Sequence, residues 1–99
     1  MKELRTPGFT AKDLFNASSS KALKDVIGEE LKVTDLCVVE KNDGVVAGYL
    51  KVEDGTVYAT ISTSVTAQFE GLMELLPATV KAVNHTSNGN REYLMLELV

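Results

Sequence analysis

Between Glu29 and Val99 the apolar and polar positions follow two periods, and the order in which they change predicts the elements. Strand one runs from about Glu30 to Lys41, and its apolar pattern shifts phase near Leu36 and Cys37, the mark of a bulge that bends a long strand. Asn42-Asp43-Gly44 is a tight-turn signal, Val45 to Glu53 is strand two, Glu53-Asp54-Gly55 is a second turn, and Thr56 to Ser62 is strand three. The period then becomes helical. Ser64 is the best cap candidate, and Val65, Phe69, Leu72, Met73 and Leu76 follow on one stripe until Pro77 ends the helix. Strand four is Ala78 to about His85, Thr86 to Asn90 is a polar turn, and strand five is Arg91 to Val99, with Leu94, Leu96 and Leu98 on one face.

Ahead of this unit, residues 1–8 read as a loose arm. Thr10 caps a short helix through Ala11, Asp13 and Leu14, with Asp13 as capping-box partner and Phe9 and Leu14 in the positions of a hydrophobic staple. Asn16 to Ser20 is a polar break, and Ser19 or Ser20 opens a second short helix, Lys21 to Ile27, stopped by Gly28. The expected organisation is one domain: a helical lead-in, 1–28, packed on a barrel, 29–99. The order β-β-β-α-β-β is that of a five-stranded OB-like barrel, mostly β with short helices, whose bent first strand pairs in both halves. That fold is used repeatedly to bind single-stranded nucleic acid on an exposed sheet face.

Strand parity then sorts the side chains. With Leu50, Val52, Val57, Ala59, Ile61, Val80, Ala82, Leu94, Leu96 and Leu98 inside, the outward set holds all three tyrosines, Tyr49, Tyr58 and Tyr93, together with Lys32, Lys51, Thr60 and His85. Flat aromatic faces beside cations suit sequence-tolerant binding of a single strand, because every base has a stacking face. His85 and Arg91, at the ends of the last turn, and Lys41, near the first, are candidate phosphate contacts. The same residues have plainer readings: tyrosines favour strands for their cross-strand packing, and surface lysines and arginines are most often solvated.

Charge and chemistry narrow the choice. The 99-residue chain carries a formal net charge of −4, which counts against a strong electrostatic grip on phosphate. One cysteine, Cys37, permits no intrachain disulfide and fits a reducing compartment; a bacterial cytoplasm is expected, with no membrane span. Cys37 and His85 lie on separate strands and make no nucleophile–base pair, and no spaced Cys/His set or phosphate-cradling glycine loop is present. The expectation is therefore a binding protein, without enzyme activity, cofactor or metal. The alternative is a protein-interaction or assembly module, which an outward apolar patch would favour; Val83 and Met95 speak for it.

The segments "DGVVAGYLKVEDGTVYATISTSV" and "SNGNREYLMLELV", with the opening "FTAKDLFNASSSKALKDVIGE", resemble the small single-stranded DNA-binding, OB-fold-like proteins of phages and prophages of Gram-positive bacteria. The resemblance runs from Phe9 to Val99. It implies a phage replication or recombination accessory that coats single-stranded DNA, or RNA, without a cofactor. Tyr49 and Tyr58 would match its outward aromatic positions, and Lys51 and Arg91 its basic ones. A homodimer or higher oligomer would gather several faces on one strand and raise avidity.

Overall fold

The computed structural model describes residues 4–40 and 43–99, apart from the side chain of Ser18. It is mostly β, with short helices and one sheet curled into a half-barrel. The bend that shapes the sheet lies in one strand, β3 (Glu30–Glu40). Its first residues pair antiparallel with β6 (Ala78–Thr86), and the remainder pairs antiparallel with β4 (Val46–Val52). Val33 is the pivot, opposite both Val52 and Ala78. The register slips between Val33 and Asp35, so the extra residue is Thr34, slightly before the phase shift seen at Leu36 and Cys37. β5 (Val57–Thr60) continues from β4, and β7 (Glu92–Leu98) continues from β6.

Seven strands are present where the sequence suggested five. The other two come from the first 28 residues: β1 (Leu4–Arg5) pairs with β3, and β2 (Lys21–Ala22) pairs parallel with β5, giving the order β2-β5-β4-β3-β6-β7. The expected helical lead-in is corrected accordingly. Only α1 (Ala11–Phe15) is an α-helix, and its capping box is as expected, with Thr10 and Asp13 each accepting from the other's backbone N–H. The expected helix Lys21–Ile27 is instead β2 followed by a 3₁₀ turn at Leu23–Val26. Two tertiary interactions override the local helical pattern: Leu23 is wholly buried in the core, and the Gly28 N–H donates to Ala82 O at 2.9 Å.

The central amphipathic stripe is also divided, into α2 (Thr63–Thr66) and α3 (Phe69–Met73). Ser62, not Ser64, is the cap, its Oγ accepting from Val65 N at 3.4 Å. Val65, Phe69 and Leu72 are buried as the periodicity required, and they meet Leu31, Val33, Leu36, Leu50, Val80 and Leu96 inside the curl. Gly48 lets this helical segment approach: a Cβ there would lie 2.9 Å from Thr66 Cγ2 and 3.0 Å from the Phe69 ring. A second cluster, Phe9, Cys37, Ala47 and Tyr49, fills the other face of β3 and β4. The middle of the sheet is thus covered on both sides.

Candidate nucleic-acid interface

Residues 6–20 form the covering layer on that outer face. Thr6 is buried beside Asp35, donating to its carboxylate at 2.7 Å and accepting from Leu36 N at 3.1 Å. Gly8 follows because a Cβ at this point would run into the Asp35 carboxylate. Phe9 is then delivered onto Tyr49, with ring centroids 6.1 Å apart, and only 1% of it stays exposed. This is where the staple partner goes: Phe9 packs on the sheet, and Leu14 remains exposed. Lys51 fastens the layer, its Nζ donating to Asp13 Oδ2 at 2.9 Å and to Gly8 O at 3.2 Å. That bond, with the Thr10 N–H, holds the Asp13 carboxyl at about 2, below its ordinary 3.8.

The expected open face of three tyrosines and lysines is therefore corrected. Tyr49 is only 8% exposed, because Phe9 lies on it. Lys51 is held by Asp13. Tyr58 stands opposite Leu50 and packs on the inner core, while Val57 and Ala59 pack with Tyr49 on the outer face, so the parity assigned to strand three is inverted. Both faces of β5 are half-buried, so the apolar character of its residues does not say which face is the core. Lys32 and Tyr58 line a shallow cleft with Glu29, Glu30, Glu53 and Asp54, surroundings that repel phosphate. Lys41 lies outside the described residues.

The β6–β7 hairpin keeps its predicted residues at the surface. His85 pairs with Tyr93 across the hairpin; their rings stack at 5.7 Å and 24°, and His85 Nε2 lies 3.2 Å from Glu97 Oε2. Arg91 is exposed, with its backbone N–H donating to Ser87 Oγ. Thr60 Oγ1 accepts from Ser62 N at 3.1 Å and turns the chain out of β5.

Thr60 and Tyr93 meet across an open groove of about 580 Å³ between the end of β5 and the start of β7. Lys24, Ile61, Ser62 and Ser64 line it as well, and Tyr49 reaches its wall. Sequence reasoning missed Lys24 because it assigned that residue to a helix, and it missed Ile61, 69% exposed, because of the inverted parity. The groove offers an accessible aromatic ring, hydroxyls, one ammonium and apolar walls. Among the described residues no group of three His, Cys, Asp or Glu side chains is placed to hold a metal ion, and no helix is long and apolar enough to cross a membrane. The chain matches no protein-family model, no curated protein and no solved structure.

Proposed function

We propose that this chain is a non-catalytic, OB-like module that binds a single strand of DNA in the groove between β5 and the β6–β7 hairpin. The five long strands support the OB-like reading. β3 is shared between β4 and β6, and the helical segment lies between β5 and β6, as that fold requires. In such a barrel the loop joining the last two strands flanks the binding cleft, and here that loop carries Arg91. The observation that carries the proposal is the convergence of Tyr93, Thr60, Ser62 and Lys24 on one open groove. Tyr93 stacks a base, Lys24 and Arg91 meet phosphates, and the hydroxyls bond to sugar or phosphate oxygens. Two copies on one strand would add their modest affinities.

Fluorescence anisotropy with labelled oligothymidine tests this. Wild type binds at low salt, and Tyr93→Ala weakens binding by roughly 5- to 150-fold, the equivalent of one stacked base at about 1–3 kcal/mol. Folded protein that ignores the oligonucleotide at low salt would sink the proposal. The second reading, a protein-interaction module of phage type, is favoured by the exposed Ile61 and the apolar groove walls, and it would then stand in its place.

A further inference from the structure

A second groove, of about 350 Å³, lies at the lower end of β7 against α3 and shares no lining residue with the first. Leu72, Leu75, Leu96 and Leu98 form its apolar surface, and Leu75 and Leu98 are 53% and 62% exposed. Val99, beside it, is 61% exposed. Leucines this open, side by side, are a docking feature more often than an accident of the surface. The charges around them have one sign. Glu97 lines the groove, and Glu70 and Glu74 are exposed on the helical segment next to the lining Gly71 and Leu75.

Gln68 determines how a partner can enter. β7 is the last strand of the sheet, and its Leu96 turns both backbone groups toward the open edge. The Gln68 carboxamide satisfies both: Leu96 N donates to Oε1 at 2.8 Å, and Nε2 donates to Leu96 O at 3.0 Å. A side chain thus occupies the place of a neighbouring strand, so an extended peptide cannot add across Leu96. What is left for a partner is the leucine surface, which suits the apolar face of a helix.

We infer that this groove docks a basic amphipathic helix of another protein, with leucine-like side chains seated among Leu72, Leu75, Leu96 and Leu98 and lysines or arginines facing Glu70, Glu74 and Glu97. A second copy of this chain is the poorer occupant, because a two-fold contact would bring both sets of glutamates together. The inference does not rest on single-strand binding, since the two grooves are separate.

The test uses the full chain and a fluorescein-labelled helical peptide of leucine and lysine, with a leucine–glutamate peptide of the same pattern as comparison. The lysine peptide binds wild type, and the glutamate peptide binds at least tenfold more weakly. A Leu75→Ser/Leu98→Ser double variant keeps the net charge, alters only exposed positions, and loses tenfold or more for the lysine peptide while its circular dichroism is unchanged. Equal binding by wild type and this folded variant overturns the inference, because attraction by net charge alone then explains the signal. So does self-association of wild type that the double variant abolishes, since the occupant is then a second copy.

Discussion

Phe9 determines what Tyr49 can do. An aromatic ring on a strand is a stacking platform when it faces water and a core residue when another ring lies on it; here Phe9 leaves 8% of Tyr49 exposed. Phe9→Ala should cost about 3–5 kcal/mol, as for other fully buried aromatics, read as a lowered urea midpoint. Gly48→Ala should cost about 1–3 kcal/mol by pushing against Thr66 and Phe69, although alanine is otherwise tolerated in strands. Side-chain parity was legible where one face of a strand is core: Leu50, Val80, Ala82 and Leu96 are buried as expected. It failed at Val57, Tyr58 and Ala59, where both faces are covered. The signal for that cover was in the sequence. Leu36-Cys37-Val38-Val39 is apolar without alternation, as strands buried on both sides are.

At the scale of elements, the N-terminal segment is a layer of the fold, fastened at Lys51. Asp13 supplies the anion, and its carboxyl at about 2 makes the fastening pH-dependent. The folded value lies below the ordinary 3.8, so the contribution to stability is complete above that value and lost as pH falls toward about 2. Urea midpoints of wild type and Asp13→Asn should therefore differ at pH 6 and converge toward pH 2; a gap that persists at pH 2 would refute the linkage. The capping box at Thr10 and the positions of all five long strands were legible, because local hydrogen bonding and strand period specify them. The divided helix, β2 and the 3₁₀ turn were not. Leu23 and Gly28 take their conformations from core packing and from Ala82, contacts that no local window contains.

At the scale of the whole molecule, the net charge of −4 and the scattered exposed cations imply a weak, salt-sensitive grip on any polyanion. With Lys24 and Arg91 as phosphate contacts, log K should fall against log salt with a slope of roughly −1.4, about −0.7 for each phosphate on a single strand. A much steeper slope would mean that more of the surface is engaged than this groove. The central claim is the location of the site: the groove between β5 and the β6–β7 hairpin, and not the tyrosine face that the N-terminal layer covers. The most direct measurement is an amide chemical-shift titration of ¹⁵N-labelled protein with oligothymidine at low salt. The account predicts shifts concentrated at Ala22 to Lys24, Thr60 to Ser64 and Arg91 to Leu94, with Phe9 and Tyr49 to Lys51 far less affected. Shifts centred on Phe9, Tyr49 and Lys51, with the groove silent, would contradict it.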